Sequence, residues 1–216
     1  MGEEHEDSVS IARSFPPRYY RAVEKNRIEA FSDGVLAIII TIMVLNLQIP
    51  HNADVSALKS LLPAFLTYAL SFLYLGIYWN NHHHLLKAAR RITGTMMWAN
   101  LHLLFWLSLF PCVTGWMGVN HFETLPSAAY GAILFLAAIA YFILQNIIVA
   151  DHGRDSKLAR ALGEDWKGKL SLALYASGIG VAFVEPWVSS LIYAVVAVIW
   201  LIPDRRLARV IDEPHH

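Results

Sequence analysis

Six apolar runs, at about 27–49, 58–80, 95–117, 127–149, 168–185 and 187–203, alternate along the chain with short polar or charged stretches. Each is near the ~20 residues a helix needs to cross a ~30 Å hydrocarbon core, so the pattern predicts six membrane helices. The last two are short and parted only by Glu185 and Pro186. The first run carries a finer pattern. Asn26 is placed to cap it, Glu29 three residues on can reach back, and Pro50 cannot continue a helix. Between them Arg27, Phe31, Gly34, Ile38, Thr41, Leu45 and Gln48 are spaced alternately four and three residues apart, which sets them on one stripe. A helix lining a narrow polar path through a membrane would use a stripe that begins with a cation, narrows to branched apolar side chains and carries one hydroxyl. Packing of Ile38, Thr41 and Leu45 against another helix would give the same spacing, so the pattern alone leaves both readings open.

Composition reinforces the membrane reading. Of the 216 residues, 56% are hydrophobic, and the mean hydropathy is +0.43, well above an ordinary soluble domain. Six spans leave no room for a sizeable soluble domain. The formal net charge is zero, so total charge does not point to a nucleic-acid partner, but the placement of charge is informative. Sixteen of the 17 Lys and Arg residues flank the runs on one side of a six-span topology, and only Lys59 falls on the other. The positive-inside rule then predicts that both termini are cytoplasmic, a partition that an odd number of spans would spoil. Residues 1–25 are polar and charged, without the apolar centre or cleavage site of a signal peptide, and read as a cytoplasmic tail. Residues 26–203 form the membrane domain and 204–216 a second cytoplasmic tail. No internal repeat pairs the two halves, as an inverted-repeat transporter would require.

Few residues in this chain can carry chemistry. Asp33 lies more than 100° around the first helix from the stripe, which turns it toward its own subunit. A carboxylate there needs a partner, and Arg27, Trp79, Asn80, His82 and His83 all fall near the same membrane face. A plain helix N-terminal carboxylate is the simpler alternative. His82, His83 and His84 are consecutive, so on a helix they fan apart by ~100° steps and no more than two can meet one ion; no metal site is predicted. His102 is expected to be a buried, hydrogen-bonded histidine and Cys112 a small buried side chain, while Pro111 should kink the third span. Aromatic residues at span ends, Trp79 and Trp200 among them, suit interfacial anchors. The chain has no phosphate-binding glycine loop and no Ser/His/Asp arrangement, so an enzyme is not expected.

Arg27-x-x-x-Phe31-Ser32-Asp33 at the start of the first span resembles the RxxxFSD signature of the transmembrane protein 175 family, lysosomal-type potassium channels and their prokaryotic relatives. Tyr78-Trp79-Asn80-Asn81-His82-His83, and Asn100 with Leu109-Phe110-Pro111 and Thr114, are similar to weaker family patterns, and the likeness spans about 25–203. The resemblance implies an all-α membrane protein with six transmembrane helices per subunit, the first helix lining a central pore in a homotetramer. It implies a potassium-preferring channel of a prokaryotic plasma membrane, with membrane lipid and the other copies of itself in the homotetramer as partners, K⁺ as the permeant ion and no cofactor. Matched onto this chain, Ile38 would form the pore constriction with Thr41 and Leu45 on the same face, in place of a TVGYG filter. Arg27, Phe31, Ser32, Asp33, Trp79, Asn80, His82 and His83 would form the signature and its structural network. Two alternatives compete: a proton-linked secondary transporter using Asp33 and the histidines, and a small membrane enzyme built on His82–His84. Neither finds a carboxylate or histidine at mid-depth of the first span, nor a nucleophile beside the histidines.

Overall fold

The computed structural model describes residues 17–50, 54–153 and 165–201. They form helices α1 (Pro17–Leu45), α2 (Val55–Ala88), α3 (Gly94–Ser108), α4 (Phe110–Val119), α5 (Thr124–His152), α6 (Trp166–Val181) and α7 (Pro186–Leu201). By length and apolar composition four stretches suffice to cross a membrane: Glu24–Leu45, Val55–Ala88, Gly94–Val119 and Thr124–Asp151. α6 and α7, at 16 residues each, reach ~24 Å, slightly short of a full crossing. The six-segment reading fits this architecture, with α3 and α4 together making the third segment. The expected tail at 204–216 and the basic residues Arg154, Lys157, Arg160, Arg205, Arg206 and Arg209 lie outside the described residues, as do residues 1–16.

Helix boundaries differ from the sequence reading in instructive ways. α1 is already helical at Pro17 and runs straight through Asn26, which is therefore not a cap. Its neighbours are helical and its backbone N–H groups have partners, so the capping box has nothing to satisfy. At the other end α1 stops at Leu45, five residues before Pro50, leaving Gln48 beyond the helix that carries the stripe. Asn46, whose backbone N–H still donates to the Ile42 carbonyl at 3.1 Å, turns its side-chain amide toward the Pro111 carbonyl, 3.5 Å away. The third span breaks at Leu109. Pro111 lacks an N–H and its ring crowds the carbonyl four residues back, which parts α3 from α4.

Three helices start on side-chain caps. Asp54 accepts from the Ala57 N–H at 2.8 Å, Thr93 from Met96 at 3.2 Å, and Asp165 from Gly168 at 2.9 Å. The bonds to Ala57 and to the Ser56 hydroxyl hold the Asp54 carboxyl below its ordinary pKa. Because the folded value is the lower one, the cap stabilises the fold above about pH 4 and loses that contribution as pH falls through the depressed value. Asp54→Ala should therefore lower the melting temperature more at pH 7 than at pH 3; an equal loss at both pH values would refute the assignment.

α1 packs against α2, α3 and α4, while α5 lies against α3, α4 and α6, and α7 closes on α6, α5 and α2. An aromatic centre fills the middle of the bundle, where Tyr74, Phe110, Tyr130, Tyr175 and Tyr193 meet ring to ring at centroid spacings of 5.8–6.5 Å. Its polar tips are paired: Tyr74 donates to the Tyr193 carbonyl at 2.6 Å, and Ser71 sits between Thr114 at 2.7 Å and Tyr130 at 3.0 Å. Small residues set the helix spacing elsewhere. A Cβ on Gly118 would lie 2.8 Å from the Ala64 Cα, so α4 and α2 approach backbone to backbone there. Gly118→Val should cost ~1–3 kcal/mol by forcing the two helices apart. Gly115→Ala, whose Cβ would meet only the Asn46 amide at 4.0 Å, should be tolerated, and comparing the two melting temperatures checks the contrast.

Candidate functional site

The stripe read from the sequence emerges as a free helix face. Arg27, Phe31, Gly34, Ile38, Thr41 and Leu45 are all exposed in the single subunit, Ile38 at 61% and Leu45 at 75%. On the other side of α1, about 140° around, Ile28, Ser32, Leu36, Ile39 and Met43 are buried against the bundle. The choice left open by spacing is thereby decided within the subunit: Ile38, Thr41 and Leu45 do not pack against its own helices. Thr41 donates its hydroxyl proton to the Ala37 carbonyl at 2.9 Å, which leaves the oxygen lone pairs facing outward. Ile38 and Leu45 lie ~10 Å apart along the axis with Thr41 between them.

Behind this face stands a buried polar chain. The His82 Nε2 and Asn100 Oδ1 are 2.6 Å apart, Asn100 donates through Nδ2 to the Ser32 Oγ at 3.0 Å, and Ser32 donates to the Ile28 carbonyl at 2.8 Å. Because the Asn100 oxygen only accepts, the geometry assigns the proton to Nε2 of His82. All three side chains are at most 3% exposed, and they link α1, α2 and α3 at one level. The chain fixes the rotation of α1: with Ser32 held inward, Ile38 must face out.

Asp33 takes a different place from the one the helical wheel predicted. It is exposed rather than turned into the bundle, yet it keeps a partner in its own subunit: its Oδ1 accepts from Trp79 Nε1 of α2 at 2.9 Å. Of its candidate partners the structure brings only Trp79 to it; Arg27 and Asn80 are exposed, and His82 belongs to the Asn100 chain. His83 stacks on Trp79 with ring centroids 6.5 Å apart, and its Nδ1 lies 3.9 Å from Glu29 Oε1. Among the described residues no three His, Cys, Asp or Glu side chains gather as a metal would require. His102 is exposed rather than buried, taking the Trp106 indole N–H at 2.9 Å, and Cys112 is likewise on the surface. Each lies on an outward face of its helix, a placement that an apolar run does not reveal.

Two contributors had no role assigned from the sequence, although Asn100 was named there in a family-like pattern. Asn100 was visible as a lone amide in a strongly apolar helix, which is a signal for an interhelical hydrogen bond. Lys25 gave no such signal. Its Nζ donates to the Lys87 carbonyl at 2.6 Å and the Ala89 carbonyl at 3.4 Å, tying α1 to the orphan carbonyls at the end of α2.

A bundle of apolar helices, a first helix with one face held by an internal polar chain and the other left free: together these define a multi-pass, all-helical integral membrane protein. The family model for the endosomal/lysosomal potassium channel TMEM175 matches residues 27–111. A potassium channel of Chryseobacterium sp. (strain P1-3) is 50% identical over 189 residues, covering 88% of this chain and 98% of that relative. The endosomal/lysosomal proton channel TMEM175 of Mus musculus is 32% identical over 138 residues, 56% of this chain and 28% of that protein. Among solved structures, the lysosomal potassium-selective channel TMEM175 homolog from Chamaesiphon minutus superposes with a TM-score of 0.74 at 26% identity, covering 84% of this chain and 98% of that one. The chain belongs to the TMEM175 family, whose members and structural neighbour here are ion channels and not enzymes.

Proposed function

We propose that this protein is a potassium-preferring cation channel, assembled as a homotetramer in which four copies of α1 surround the pore. One observation carries the reading: the entire stripe from Arg27 to Leu45 is free of its own subunit, while the opposite face of α1 is buried. Lipid alone is a poor partner for a face bearing a cation, a glycine and a threonine; other copies of the same face around an aqueous path account for all three. The channel names of the Chryseobacterium relative and of the Chamaesiphon structure support the same choice.

In this assembly four Ile38 side chains form a constriction that closes by sterics and dewetting. Thr41 and Leu45 continue the same wall, and the outward lone pairs of Thr41 meet a partly dehydrated cation. K⁺ sheds water at lower cost than Na⁺, so a weakly coordinating passage prefers K⁺, less sharply than a carbonyl cage would. Arg27 and Phe31 line the mouth. Ser32, Asp33, Trp79, Asn80, His82 and His83 act at one remove, setting the orientation of α1. The basic flanks support cytoplasmic termini, and the bacterial relatives support a prokaryotic plasma membrane.

A proton-linked transporter would need a titrating group at mid-depth on a water path. Asp33, His82 and His83 instead cluster at one end of the bundle, and the exposed face at Ile38 is apolar. Purified protein in liposomes should run as a tetramer and conduct K⁺ faster than Na⁺ down imposed gradients. A folded monomer with no flux of either ion would overturn the proposal.

A further inference from the structure

A second concavity lies away from the stripe, between α2, α5, α6 and α7. It is a small open cleft with about 50 Å³ of room, at the end of the bundle where α5 finishes and α6 begins. Tyr74, Tyr78, Tyr141, Tyr175 and Trp200 line it, and the carboxylate of Asp165 stands among them.

The polar inventory of the walls narrows what it can hold. Tyr74 donates to the Tyr193 carbonyl at 2.6 Å, Tyr141 to the Asn81 carbonyl at 3.3 Å, Asn81 to the Ile77 carbonyl at 2.9 Å, and Trp200 to the Ser171 Oγ at 2.8 Å. Ser171 passes its own proton to the Lys167 carbonyl at 2.8 Å. These donors are committed within the protein, which leaves the Tyr78 hydroxyl and little else to hydrogen-bond an anion or a sugar. What it offers is aromatic surface and one acid. Asp165 Oδ1 takes the Gly168 N–H at 2.9 Å, whereas among the described residues Oδ2 has a long contact of 3.4 Å from Gln145. Among the described residues no Lys, Arg or His lines the space. Electron-rich aromatic rings gathered around a carboxylate suit a desolvated organic cation.

We infer that this pocket is a binding site for a small quaternary ammonium, held by cation–π contact with the tyrosines and Trp200 and by the Asp165 carboxylate. The site is separate from the pore face, yet Tyr78 and Asn81 alternate along α2 with Trp79 and His82, which hold α1. An occupant therefore presses on the helix that sets the orientation of the stripe.

Choline and its uncharged isostere 3,3-dimethylbutanol, titrated calorimetrically into protein in a maltoside detergent, test the inference. Wild-type protein should bind choline saturably and at least tenfold more tightly than the alcohol. Asp165→Asn keeps the helix cap, since Asn caps as well as Asp, and should weaken choline at least tenfold with the melting temperature nearly unchanged. Trp200→Leu should weaken it similarly, while Ile38→Asn should bind like wild type, which separates this site from the pore. Equal affinity for the alcohol would mean an apolar cavity of the kind an acyl chain fills, and would overturn the inference. So would absence of choline binding to folded protein, or binding that Asp165→Asn and Trp200→Leu leave intact.

Discussion

Ile38→Asn should raise the cation flux of reconstituted channels and lower their preference for K⁺ over Na⁺ by about tenfold, equivalent to ~1.4 kcal/mol between the two ions. The reason is local. Ile38 is 61% exposed and belongs to no packing contact that the substitution would empty, so folding is spared. In the proposed tetramer the same change puts four amides where four branched hydrocarbon side chains stood. The amides hold water and offer oxygens of their own, so the ring no longer dewets and Na⁺ passes without giving up its shell. Val44→Asn is the matching control. Val44 is on the same helix and is also exposed, but lies ~100° around from the stripe, so selectivity should not change. Ion-selective flux in liposomes decides between them: equal effects of the two variants, or none from Ile38→Asn, would remove Ile38 from the conduction path.

The second large effect is on stability. Asn100→Ala should lower the melting temperature in detergent by about 5–10 °C, because it strands two buried partners at once. His82 Nε2 loses its acceptor and the Ser32 Oγ loses its donor, at ~1–3 kcal/mol for each group left unpaired. For a chain of this size each kcal/mol corresponds to ~2–4 °C. The net worth of an interhelical hydrogen bond inside a membrane averages only ~0.6 kcal/mol, so the penalty comes from the orphaned groups and not from the bond. That distinction is itself testable. His82→Leu combined with Asn100→Leu removes donor and acceptor together and should recover part of the loss seen in Asn100→Ala. If the double variant were as unstable as the sum of the two single changes, the hydrogen-bonded chain would not be what holds α1 to α2 and α3.

The sequence carried the helices and the stripe because both are local. Six apolar runs of membrane length follow from composition within each run, and the face shared by Ile38, Thr41 and Leu45 follows from 100° steps along one helix. Pro111 likewise announced the break between α3 and α4 through its missing N–H. Boundary signals fared worse. Asn26 has the chemistry of a cap, but the chain on its N-terminal side is helical, and a helix in progress needs no cap.

What only the tertiary structure decided is which side of each helix meets protein and which atoms meet each other. Ser32 and Asp33 are neighbours 100° apart, and it is the serine that turns inward to Asn100 while the aspartate stays on the surface with Trp79. Ser32 and Asn100 are 68 residues apart, and Lys25 lies 62 from the carbonyl it caps. His102 and Cys112 sit in apolar runs yet face outward. Periodicity specifies the angle between side chains on one helix but not the rotation of that helix about its own axis. In a chain that is apolar nearly all round, that rotation is set by the few polar groups that must find partners inside the bundle, and for α1 those are Ser32, Asn100 and His82.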